Sequence, residues 1–216
     1  MELFKVQDLI KLHNGHPNYD IYRNHELSYW EHIKSWIDES PENIDILDIG
    51  CAYGTLGLYS KINKNGNLYC VDFVKYMSDE LITKFDINYK VLNFEKDSFP
   101  WTIKFDVIIF TEILEHLNGN PIDTLNKIYD LLKDDGVLYI STPDSKTWGR
   151  LPEYYSWELI PKIENVKVIQ DRHIYQYDIY ELTELLSRCG FEIVKNANSN
   201  VTENLTNINL QIRKVK

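Results

Sequence analysis

Ile46-Leu47-Asp48-Ile49-Gly50-Cys51-Ala52-Tyr53-Gly54 is the stretch on which the fold turns. An apolar run with one acid leads directly into a loop of small residues, and helical spacing takes over at 55–62. Strand, glycine turn and helix in that order open a βαβ unit, in which Gly50 and Gly54 permit the tight turn and let a ligand lie against the backbone. A dinucleotide fingerprint would need glycine at 50, 52 and 55, but the sequence has Gly50, Ala52 and Thr55. A phosphate-binding Gly-Lys-Ser/Thr ending is missing as well.

Working outward from this loop, short apolar runs alternate with helical patterns. Strands are expected at 44–49, 68–71, 89–92, 106–110 and 137–141, with another opening at 191–194 and a last one at 207–213. Helices are expected at 75–84, 121–132 and 180–189, and Asp134-Asp135-Gly136 should stop the second of these. Strands joined by crossover helices form a parallel sheet covered on both faces, and continuous apolar strands are what such burial requires. Residues 1–40 read as an N-terminal helical cap. The aromatic, proline-containing stretch 144–172 breaks the rhythm and reads as an inserted lid. One domain over 1–216 accommodates all of this.

Composition narrows the function classes. Hydrophobic residues make up 44% and charged residues 26%, which excludes a wholly disordered chain. The formal net charge of −10 argues against a nucleic-acid groove, which needs clustered lysine and arginine. No run approaches the ~18 apolar residues of a membrane span. Cys51, Cys70 and Cys189 have no paired spacing and read as buried thiols of a reducing compartment, so a cytoplasmic location is expected.

The glycine loop resembles motif I of the class I S-adenosylmethionine-dependent methyltransferases, with Ala52 in place of a middle glycine. The remaining elements arrive in that family's order over about residues 26–195. The resemblance implies a Rossmann-like doubly wound α/β sheet of about seven strands, mostly parallel, with an antiparallel last strand. It implies S-adenosylmethionine as cofactor, held by Asp48, Gly50, Ala52 and Gly54. Asp72, ending the second strand, would accept both ribose hydroxyls, beside Phe73. Asn93 and Phe94 would meet the adenine, and Thr111 the methionine side. Arg23, in the N-terminal cap, would pair with the methionine carboxylate, against the alternative of a surface salt bridge.

Glu112-Ile113-Leu114-Glu115-His116 and His173-Ile174-Tyr175-Gln176-Tyr177 look like the ubiquinone-biosynthesis O-methyltransferase and small-molecule, sugar-tailoring branch. The expected acceptor is a hydroxyl of a small molecule, a sugar or glycan precursor ahead of a phenol. An amine acceptor is the alternative, and a non-catalytic partner subunit is the rival of another class. His116 and His173 are the candidate bases. If a helix starts after Thr111, then Glu112, Glu115 and His116 share one face. With His173 they would hold Mg²⁺ or another divalent cation, the arrangement the resemblance carries, and general-base catalysis without an ion is the alternative. His13, His16, His25 and His32 read as surface or packing residues.

Overall fold

Three helices precede the sheet in the computed structural model, which describes residues 1–14 and 18–216: α1 (Leu3–Asn14), α2 (Tyr19–Tyr29) and α3 (Glu31–Asp38). His16 lies outside the described residues. There follow β1 (Asp45–Ile49), α4 (Thr55–Lys64), β2 (Asn67–Asp72), α5 (Asp79–Lys84), β3 (Asn88–Val91) and β4 (Phe105–Thr111). The chain continues through α6 (Pro121–Leu131), β5 (Leu132–Pro143), α7 (Ser145–Trp148), α8 (Ile179–Arg188), β6 (Phe191–Asn200) and β7 (Thr206–Lys214). The seven strands stand in the order β3-β2-β1-β4-β5-β7-β6. All neighbours from β3 through β5 are parallel, and β7 runs antiparallel to both β5 and β6. This is the expected doubly wound sheet with its antiparallel last strand.

The apolar strands divide residue by residue between two cores. Leu47, Ile49, Ile108, Phe110, Leu138 and Ile140 join the cluster that includes residues of α6 and α8. Their neighbours Ile46, Val107, Ile109, Val137 and Tyr139 join the cluster that includes residues of α1, α3 and α4. A strand with both faces buried has no polar face to show, so its side-chain alternation selects between two cores instead of between core and solvent. Full burial of each such side chain is worth about 1.5–3 kcal/mol, which fixes the sheet that carries the loops.

Two local expectations are corrected. Asp134-Asp135-Gly136 lies within β5, not in a turn closing the preceding helix. The pairing of β4 with β5 shifts from Phe105↔Leu132 to Val107↔Val137, so the extra residues are absorbed as a bulge. The helix expected over 75–84 is only Asp79–Lys84, capped by Ser78. The stretch before it is held by tertiary contacts, among them Asn14 with Tyr76 and Ser78.

Candidate active site

β1 and β4 are neighbours, with β2 and β5 on their outer sides. Connections therefore leave their carboxyl ends in opposite directions, which opens a crevice there. A cavity of about 370 Å³ occupies it, within the usual range of ligand sites. Its floor comes from the glycine loop, its sides from the loops after β2, β3 and β4, and its roof from α2 and residues 169–173.

The glycine loop follows backbone constraints. Gly50 and Gly54 have φ of 69° and 76°, and Ala52 between them sits at 44°. A Cβ on Gly50 would lie 2.1 Å from Ile113 Cδ1, so the loop packs directly on the chain leaving β4. Gly54 stands back from the cavity and begins α4 against Met77. The Ala52 N–H donates to Asp72 Oδ2 at 2.8 Å, and the Val74 N–H to Oδ1 at 3.1 Å. Asp72 is thus buried but aimed across the loop, and burial raises its pKa against these bonds. Asp48 turns under α4, beside Gly57, and burial with Asp72 nearby pushes its pKa up to about 7.

Of the residues expected to hold a cofactor, Asp48, Gly50, Ala52, Asp72, Phe73, Asn93, Phe94 and Thr111 all line this cavity. Asn93 also orders its own loop by accepting from the Glu95 and Lys96 N–H groups. Arg23 is not brought there. Its guanidinium pairs with Asp8 at 2.7 Å on the outer side of α2, so the surface salt bridge holds. The inner side of α2 presents Tyr22, Glu26 and Tyr29 instead. Glu26 is buried, accepts from Gln7 and Thr55, and has its pKa raised by that burial.

After β4 the chain departs from the expected helix. Glu112 has φ of 55° and its N–H donates to Ser141 O at 2.8 Å, while a 3₁₀ turn spans Leu114–His116. Glu112 and Glu115 therefore do not share a helical face. Glu112 Oε1 accepts from Ser141 Oγ at 2.6 Å and Oε2 from Asn207 Nδ2 at 2.8 Å. Glu115 accepts from Thr142 Oγ1 at 2.9 Å. Burial pushes Glu112 up to about 7, and Glu115 rises well above the ordinary value through burial and its neighbour Glu112.

Glu115, His116 and His173 do converge, each offering one donor atom, with the three atoms within 4.8 Å of one another. The imidazoles meet edge to face at 4.8 Å between centroids. Burial and the neighbouring His173 lower His116 to about 4, and burial lowers His173, so both rings are neutral near pH 7. His116 Nδ1 makes no hydrogen bond, and Asp171 lies 3.5 Å away. The segment beyond β5 is stitched to this turn: the Ile174 N–H donates to Glu115 O, and Asn118 exchanges two hydrogen bonds with the Gln170 backbone.

Sequence reading missed Glu26, Tyr29, Asp171 and Asn207. Asp171 had a signal in its closeness to His173. Asn207 had none, since it reaches Glu112 only because β7 inserts beside β5.

Among the described residues, no helix is long and apolar enough to cross a membrane, and all three cysteines are free and buried. Residues 19–196 match a family described as a methyltransferase domain. A comparison with curated proteins by sequence gives no match. Solved structures give likenesses at low identity. 1,6-Didemethyltoxoflavin-N1-methyltransferase of Burkholderia thailandensis, bound to 1,6-didemethyltoxoflavin and S-adenosylhomocysteine, is 16% identical, with TM-score 0.65 over 99% of this chain and 88% of that one. Magnesium protoporphyrin IX methyltransferase of Synechocystis PCC 6803, with bound S-adenosylhomocysteine, is 16% identical, with TM-score 0.65 over 98% of this chain and 93% of that one. The [4+2]-cyclase SpnF is 13% identical, with TM-score 0.62 over 86% of this chain and 80% of that one. The same fold thus carries more than one chemistry, and the three likenesses speak to architecture alone.

Proposed function

The chain belongs to the methyltransferase domain family, and from that premise we propose that it transfers a methyl group from S-adenosylmethionine to a hydroxyl of a small molecule. The observation that carries this reading is one cavity with a nucleotide-type cradle on one side and two neutral imidazoles on the other. The cofactor supplies a methyl group already activated on a sulfonium. The two methyltransferase likenesses hold S-adenosylhomocysteine, which supports the same cofactor here.

The cradle fits that cofactor. Asp72 lines the cavity beside the glycine loop, and the lone pairs left over by the Ala52 and Val74 N–H groups suit vicinal ribose hydroxyls. Phe73, half exposed after β2, and Phe94, after β3, line the cavity and suit an adenine, with Asn93 beside Phe94 in the same loop. Gly50 leaves room for close backbone approach.

A hydroxyl acceptor must lose a proton as the methyl arrives. His116 and His173 are neutral and line the cavity, so either ring can receive it. Glu115 orients this pair through its backbone, since its carbonyl anchors the Ile174 N–H beside His173. α2 and residues 169–173, which run from the end of the 144–172 lid to His173, line the cavity and would keep water from the reacting groups.

The divalent ion carried by the family resemblance also finds donors. Glu115, His116 and His173 are mutually close, and the His116 Nδ1 atom is buried without a hydrogen bond. The mixed oxygen and nitrogen set suits Mn²⁺, Co²⁺ or Zn²⁺ as well as Mg²⁺. Such an ion would acidify the acceptor hydroxyl. Glu112, held by Ser141 and Asn207, is not among these three converging donors.

Labelled S-adenosylmethionine, offered with hexose and catechol panels in the presence and absence of EDTA, tests the reading. Transfer to hydroxyls is expected, with His173→Ala lowering kcat about 10²–10⁴-fold. Label found only on amines, protein or RNA overturns it. Full activity in EDTA assigns the proton to the imidazoles alone, whereas loss restored by Mg²⁺ or Mn²⁺ assigns the ion.

A further inference from the structure

We infer that the acceptor carries a positive charge, as an amino sugar or other ammonium-bearing hydroxyl compound, and that Glu112 is the residue that reads it. This rests on the methyltransferase reading and names the substrate class of the same site.

Seven carboxyl-bearing residues line the cavity, and no lysine or arginine does so among the described residues. Two of the seven, Asp48 and Asp72, belong to the glycine-loop side, where their oxygens accept from backbone N–H groups. Glu112 differs from both. It stands across the crevice, held by side chains from β5 and β7, and no cationic side chain pairs with it. Carboxylates are seldom buried unless paired or bonded to donors. Ser141 and Asn207 take one lone pair on each oxygen, and a carboxylate offers about four such sites. The remaining ones are free for donors brought by a ligand.

The surroundings fit an ammonium. Tyr29 lies near enough to Glu112 and Glu115 for their charge, after burial, to help push its hydroxyl up to about 12. Trp30 continues the aromatic wall beside it. Aromatic faces together with a desolvated carboxylate recognise organic cations, each through the same electrostatic attraction. The same wall repels phosphates and carboxylates, since no residue lining it supplies a cation to receive them. Nucleotide sugars and acidic phenols are therefore disfavoured, and neutral polyols gain no charge-based advantage.

Matched probes decide the matter: glucosamine, glucose and glucuronate among hexoses, and tyramine, 4-(2-hydroxyethyl)phenol and 4-hydroxyphenylacetate among phenols. Each is titrated against protein saturated with S-adenosylhomocysteine, and each is assayed for labelled methyl transfer. In at least one series the ammonium member should bind at least tenfold tighter than its neutral partner, with the anion weakest. Glu112→Gln, which keeps one oxygen and the shape but not the charge, should erase that preference. Absence of an amine preference in both series overturns the proposal, whether or not any member is methylated. So does a Glu112→Gln protein that keeps the preference but binds the cofactor tenfold more weakly, since the carboxylate would then belong to the cofactor. If Glu112→Gln no longer folds, Asn207→Ala, which frees the carboxylate from its position, must reduce the preference or the proposal falls. Failure of S-adenosylhomocysteine itself to bind the unmodified protein is a separate result and overturns the methyltransferase reading.

Discussion

The two sides of the cavity are built by different means. On the β1–β2 side, the glycine loop and its acid fall within residues 48–74 and are set mainly by backbone: two glycines and an alanine at positive φ, and N–H groups bonded to Asp72. On the β4–β5–β7 side, Glu112, Thr142, His173 and Asn207 come from four separate segments and meet only through side chains and strand order. Main-chain geometry of the first kind is what mutation changes least, whereas side chains of the second kind can be exchanged without disturbing the sheet.

The sharpest way to break this contrast is Gly50→Val. The branched side chain meets Ile113 and imposes a left-handed conformation, so destabilisation of about 3 kcal/mol is expected, together with loss of cofactor binding. Thermal melting and titration with S-adenosylhomocysteine check both, and a variant that melts and binds like the parent would remove the backbone from the account.

The next effect is on pH dependence. Asp48 is raised from the ordinary carboxylate range to about 7 by burial. Its stabilising contribution is complete below its unfolded pKa near 3.8 and is lost as pH rises through about 7. His116 works in the opposite sense: its contribution is present above its unfolded pKa of 6.5 and is lost as pH falls through about 4. Asp48→Asn should therefore flatten the decline of stability between pH 4 and 7, as measured by urea unfolding against the parent protein at each pH. An unchanged difference across that window would contradict the buried acid.

The smallest effect is at Ala52. A left-handed non-glycine residue costs about 1–2 kcal/mol, part of which glycine returns as greater freedom of the unfolded chain. Ala52→Gly should raise stability by about 0.5–1 kcal/mol, a shift of about 1–4 °C in Tm. A lower Tm would mean that the alanine methyl makes a packing contribution larger than the strain.

The same contrast explains what could be read from the residues alone. Strand order of types, the glycine loop and Asp72 were legible because each depends on neighbours within a few positions. The apolar runs around Ile108 and Leu138 announced a sheet buried on both faces, and the two cores bear that out. The turn after Thr111 was misread as a helix because helical spacing of Glu112, Glu115 and His116 is a pattern in sequence. The backbone there answers to Ser141 O across the sheet. Arg23 was placed by family likeness, but Asp8 on α1 claims its guanidinium, and the packing of two cap helices is not written in either one. Asn207 was invisible for the same reason.

The insertion of β7 between β5 and β6 gives the molecule a schedule. Thr206–Lys214 is the last of the seven strands in chain order, yet it fills an interior position and supplies the Asn207 amide that fixes Glu112. At about 5–20 residues per second, several seconds separate synthesis of β5 from that of β7, the strand that covers its edge. The Glu112 side of the cavity therefore depends on a strand more than sixty residues beyond β5, whereas the glycine loop needs only its immediate neighbours in the chain.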